Sequence, residues 1–196
     1  MGSLAKRFKE AYIARHGPGS WDEHAAAVQG LWDGIAERIH ARRLDPGTLW
    51  IYQDGLPVCG KEERIVRDIA GQGSPNHRLV ALLVDQGAHL VGTESPELLL
   101  AEYRQVVRAA TSAEGELDSR TEASRAAAAS LLEARDRFIA DRIGSTLPEE
   151  GTGLLFLGLA HSVHRHLPAS IHVEFLIHRL MFHKEVLPSG GPMADP

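Results

Sequence analysis

Residues 48–55, Thr48-Leu49-Trp50-Ile51-Tyr52-Gln53-Asp54-Gly55, are where the chain changes its hydrophobic period. Before them, Ala25, Val28, Leu31, Trp32, Ile35 and Ile39 recur at steps of three and four, the spacing of an amphipathic helix that opens at Trp21-Asp22 and ends near Leu44-Asp45-Pro46-Gly47. Within them, Leu49 to Tyr52 are contiguous, apolar and β-prone, as in a strand covered on both faces. Asp54-Gly55 is turn chemistry that stops it. A doubly covered strand directly after a helix points to an α/β fold.

Working outward, Lys61 to Ile69 reads as a short helix, and Ser74-Pro75 as the cap and first residue of another carrying Leu79, Leu82 and Leu83, closed by Gly87. AHLVGTES (88–95) reads as a second strand, followed by Ser95-Pro96-Glu97 opening a helix through LLLAEYRQVVRAA. The polar stretch 111–122 is expected as a surface loop or a helix start. ASRAAAASLLEARDRFIADRIGSTL (123–147) is the strongest helical signal, rich in alanine, with an apolar face at Leu131, Leu132, Ile139 and Ile143. Gly153 to Gly158 predicts a third strand, and IHVEFLI (171–177) a fourth. Strands separated by helices of this length argue for a mostly parallel sheet of about four strands with helices on both faces, plus an N-terminal helix. The expected organisation is a flexible or partly helical stretch at 1–20, one domain at 21–187 and a disordered tail at 188–196.

The chain has 196 residues, enough for one domain with a sizeable core but not for two. A net charge of -5, with basic residues spread among acids, gives no footprint for nucleic acid. Cys59 is the only cysteine, which excludes an intramolecular disulfide framework and fits a reducing compartment. The opening MGSLAKRFKEAY lacks the apolar core of a signal peptide, and the apolar run Leu154 to Ala160 is too short to cross a bilayer. The expectation is a soluble cytoplasmic protein with no membrane or nucleic-acid partner.

In open α/β sheets, ligands sit beyond the carboxyl ends of the strands. Three predicted strands end in a group that does chemistry: Asp54, Glu94 and His161. Two carboxylates and an imidazole can hold a divalent metal, with manganese, iron and zinc all chemically reasonable for a mixed oxygen and nitrogen set, or they can work as acid and base without one. The structural alternative is that Asp54-Gly55 only makes a turn and Glu94 only precedes a helix. His164 follows His161 by about one helical turn and can share its face, while His166, His172, His178 and His183 have no metal-ligand spacing. The segment GQGSPNH (71–77) places Asn76 and His77 in a first helical turn, facing the strand ends or solvent; it has neither the lysine of a P-loop nor a dinucleotide fingerprint. Arg135, inside the long helix, is either a group for an anionic substrate or an exposed partner of Glu133 or Asp141. The substrate-binding candidates are therefore Asn76, His77, Arg135 and His164.

The segments IYQDGLP, GSPNHRLV, LVGTE, EARDRFIA and LGLAH, taken in this order, resemble the superfamily of TraB, ChaN and erythromycin-esterase-like proteins over most of residues 48–176. The chain has Gln53-Asp54-Gly55-Leu56-Pro57 where that superfamily often shows a Gly-Glu-x-His element. YQDG, GSPN and GTE also resemble the signatures of a small prokaryotic family, a likeness that brings no function with it. The resemblance implies a hydrolase. The leading expectation is an α/β enzyme hydrolysing a small polar or anionic substrate, with Asp54, Glu94 and His161 at its centre. The alternatives are a metabolite-binding or sensor protein using the same pocket, and an assembly protein or homo-oligomer joined through the N-terminal helix with Trp21, Leu31 and Trp32.

Overall fold

The computed structural model describes residues 2–111 and 122–176. Two helices come first, α1 (Gly2–His16) and α2 (Ser20–Ala41). A 3-10 turn at Pro46–Thr48, capped by the Asp45 side chain accepting from Gly47 N–H, delivers the chain into β1 (Leu49–Gln53). Then follow α3 (Glu62–Gly71), α4 (Pro75–Asp85), β2 (His89–Val91), α5 (Pro96–Thr111), α6 (Glu122–Thr146) and β3 (Thr152–Phe156), with a last 3-10 turn at Val163–Arg165. The three strands form one parallel sheet in the order β2-β1-β3, with Ile51 opposite Leu90 on one side and Leu154 on the other. Among the described residues no helix is long and apolar enough to cross a membrane.

The central place of β1 follows from its composition. Leu49 and Ile51 belong to an apolar cluster with Ile39 of α2, Val66 of α3 and Leu79, Val80 and Leu83 of α4. Tyr52, pointing the other way as strand alternation requires, joins Val91, Val163 and Ile139, Ala140 and Ile143 of α6. Complete burial of Ile51 alone is worth about 1.5–3 kcal/mol. Leu154 and Phe156 of β3 pack on the first cluster and Leu155 on the second. Trp32 packs on the first cluster too, so the face of α2 that carries it is occupied by the chain's own core.

Two expectations need correction. Residues 171–176, predicted as part of a fourth strand, are not a strand: Glu174 is forked to Arg42, just past the end of α2, at 2.5 and 2.6 Å, the Phe175 ring meets His164 edge-on, and Leu176 packs on the first cluster. β-branched alternation marks a fit to a pleated surface, and here the segment spends its side chains individually instead. At α4, Pro75 does occupy the first turn, but the Ser74 hydroxyl bonds the His77 ring at 2.9 Å and caps no backbone N–H. The segment 1–20 contains α1, and the predicted tail at 188–196 lies outside the described residues.

The carboxyl ends of β1 and β2 are stitched together beyond the regular sheet. Gln53 N–H donates to the Thr93 hydroxyl at 2.9 Å, which donates to Val91 C=O at 3.0 Å. The N–H groups of Thr93 and Glu94 both reach Leu56 C=O, and Val58 N–H reaches Glu94 C=O, so QDGLP and GTE run side by side up to a Pro57–Glu94 bridge. Gly92 permits this closeness: a Cβ there would lie 2.8 Å from Val58 Cα and 2.7 Å from Glu62 Oε1.

Candidate functional site

Past the end of β1 the chain turns at Asp54-Gly55, with Leu56 N–H returning to Gln53 C=O. Gly55 takes φ 75°, a left-handed conformation that costs glycine little, and the turn leaves Asp54 part-exposed beside Arg135 and Gly158. The first oxygen of Asp54 meets Arg135 Nη2 at 2.8 Å, and the second accepts from Gly158 N–H at 3.1 Å, just beyond the end of β3. Glu94, wholly buried past the end of β2, accepts from Arg135 twice, from Nε at 2.9 Å and Nη2 at 2.5 Å, and from Gly55 N–H at 3.1 Å. Arg135 Nη1 bonds Glu102 of α5. The guanidinium, with 4% of its side chain exposed, is thus surrounded by three carboxylates. This is the fork geometry that makes arginine a buried ion-pair partner.

His161 lies on the other side of Asp54. Its Nδ1 meets Asp136 Oδ1 at 2.5 Å, while Ser162 N–H donates to Asp136 Oδ2 at 2.7 Å. Its Nε2 faces Asp54 Oδ2 at 3.6 Å. The ring therefore stands in a line of carboxylate, imidazole and carboxylate drawn from α6, the loop after β3 and the loop after β1.

Electrostatics follow from that line. Asp54 raises the His161 pKa most, burial opposes it and Asp136 adds to it, leaving the imidazole pushed up to about 9. For Asp54, burial works to raise the pKa, but the His161 ring, the neighbouring Glu94 and Gly158 N–H together outweigh it and hold the carboxyl well below the usual range. Arg135 is held even more firmly protonated, chiefly by Glu94. At neutral pH the site is an ionised Asp54 beside a protonated His161.

His161 lies in the loop five residues past the end of β3 and not at a strand end as expected, yet it meets the other two, with ligand atoms of Asp54, Glu94 and His161 all within 4.8 Å of one another. The spacing alone suits a small cation, but the donor set does not: Arg135 Nη2 already bridges Asp54 and Glu94, and a metal there would have to displace a buried guanidinium. Compared with protein-family models, curated proteins and solved structures, the chain matches none.

Of the other sequence candidates only Arg135 joins the cluster. Arg135 does not pair with Glu133 or Asp141; its donors are spent inside the cluster. His164 is exposed on the 3-10 turn with its ring against Phe175 and is not among the residues that meet at Asp54. His77 is tied to Ser74, and burial lowers its pKa. Asn76 Oδ1 is buried without a partner among the described residues. Two shallow grooves, one along α5 and α6 and one beside Trp50 and His89, contain none of Asp54, Glu94 and His161.

The sequence assigns no role to two members, although Asp136 lies within the segment EARDRFIA. Glu102 sits in a helix face with no local mark. Asp136 follows Arg135 in a helix whose neighbours are mostly charged, where an acid reads as a solvated partner; its burial, at 2% exposure, is the signal, and only tertiary structure supplies it.

Proposed function

We propose that the chain is a hydrolase of a small polar substrate working by general acid and base, without a metal, at the carboxyl ends of its parallel strands. The observation that carries this is the Asp54–His161–Asp136 line: a protonated imidazole, held between two carboxylates, whose Nε2 end faces a part-exposed Asp54. With a pKa near 9, His161 rests as an acid rather than a base, and because only 4% of its side chain is exposed a leaving group would have to reach its Nε2 edge beside the part-exposed Asp54. Asp54, ionised and 26% exposed, orients an attacking water and takes its proton as His161 gives one to the leaving group. Glu94 and Arg135 hold Asp54 in place and do not themselves meet solvent.

The geometry also bears on substrate class. Four acids (Asp54, Glu94, Glu102, Asp136) surround two cations, and the accessible groups are acids, with Glu102 44% exposed and Arg135 only 4%. Because the arginine is spent within the chain, a neutral or cationic polar substrate suits the site better than an anionic one.

A second reading, a metabolite-binding or sensor protein, is favoured by the completeness of the Arg135 network, which has the character of structure rather than of machinery. A panel of ester, amide and phosphoester substrates, assayed on protein of known metal content with and without chelator, tests both. Turnover that survives chelation and is lost in His161→Ala and Asp54→Ala supports the hydrolase. Saturable binding without product supports the sensor. Turnover or binding unchanged in Asp54→Ala, Glu94→Gln and His161→Ala removes the site altogether.

A further inference from the structure

Asp136 enters the cluster from the middle of α6, not from a strand end, and both of its oxygens are engaged. Oδ2 accepts a backbone N–H, from Ser162 at 2.7 Å. Oδ1 lies 2.5 Å from His161 Nδ1. The side chain is 3% exposed, so no bulk water completes either oxygen's shell.

We propose that Asp136 is the positioning residue of the site: it fixes the hydrogen of His161 on Nδ1 and so makes Nε2, the end facing Asp54, the only nitrogen that exchanges a proton. The inference rests on the acid and base reading above for its use, but not for its geometry. An ionised carboxylate has only acceptors, so a close contact with Nδ1 requires an N–H there. The Ser162 amide keeps the carboxylate from turning, because a backbone N–H is a donor in every protonation state. The ring is thereby locked in plane and in tautomer, with Nε2 directed at Asp54 3.6 Å away.

Asp136→Asn tests this without disturbing shape. An amide must present its oxygen to the Ser162 N–H, which cannot accept, and so presents its NH2 to His161 Nδ1. Nδ1 is then forced to accept, and the hydrogen of the neutral ring moves to Nε2. This is the tautomer inversion that an Asp to Asn change produces in a serine-protease triad.

The readout is long-range proton–nitrogen correlation NMR of the His161 ring, taken on the whole chain from pH 6 to 10. In the wild type, Nδ1 is expected to keep its proton throughout, with Nε2 the nitrogen that loses one as pH rises. In Asp136→Asn, the neutral ring is expected with its hydrogen on Nε2. A wild-type ring that deprotonates at Nδ1, or a variant with the wild-type tautomer, overturns the proposal. Should the variant not fold, the wild-type titration decides by itself. Turnover is not read, so failure of the hydrolase reading and failure of this one are distinguishable.

Discussion

Replacing His161 by glutamine should flatten the alkaline side of the stability profile. Folding moves the imidazole from its ordinary 6.5 to about 9, so the folded chain holds that proton more tightly than the unfolded one. The stabilisation is therefore complete below about pH 6.5, declines as pH rises and is gone above about 9. A separation of that size corresponds to about 3 kcal/mol at most. Asp54 is 26% exposed and water screens part of its field, so a fall of about 1–3 kcal/mol is the expected range. The assay is urea unfolding at half-unit steps from pH 6 to 10, with wild type and His161→Gln compared at each pH so that other titrating groups cancel. The wild-type advantage should shrink steadily between pH 6.5 and 9. A difference between the two proteins that stays constant over that window would refute the ion-paired geometry of His161 with Asp54 and Asp136.

Two further outcomes follow from the same cluster. Arg135→Met strands the fully buried Glu94 carboxylate and should cost about 3–5 kcal/mol in denaturant unfolding, while adding Glu94→Gln should recover part of that loss, because the pair acts as a unit. Gly92→Ala places a Cβ 2.8 Å from Val58 Cα, where backbone has to move, and should cost about 1–3 kcal/mol by overpacking; an unchanged melting temperature would show that the two strand-end loops are less closely joined than described.

The parts of the fold that were legible in the sequence are those where local chemistry and tertiary role coincide. Leu49 to Tyr52 are β-prone and lie at the sheet centre, Pro75 and Pro96 open helices, and Gly55 and Gly87 close turns at positive φ and a helix end. The strand-end rule then placed Asp54, Glu94 and His161 near one another, because a parallel sheet delivers all its carboxyl ends to one edge. What stayed hidden depends on distant partners. The sequence around Arg135 offers Glu133 and Asp141 within a helical turn or two, and nothing local says that the guanidinium turns inward instead. Residues 171–176 alternate like a strand, yet Arg42 and the first apolar cluster take their side chains one at a time. His164 shows the limit of spacing as a guide: it lies three residues from His161, but a 3-10 turn sits between the two roles, and no α-helix aligns them.

Helix α6 carries Arg135 and Asp136 side by side, and adjacent positions on a helix point about 100° apart. One therefore gathers the loops after β1 and β2 while the other holds the loop after β3. Sliding the helix so that Asp136 takes the place of Arg135 would bring an anion to the carboxylates and Arg137 to the imidazole, and the opposite slide would leave Ala134 at the carboxylates and Arg135 at the imidazole. The alanine-rich first half of α6 has little in its side chains to set such an alignment. Two opposite charges in the middle thus act as an index mark for the helix, beside the core positions Ile139, Ala140 and Ile143, and leave the exposed alanine-rich half free to drift in sequence.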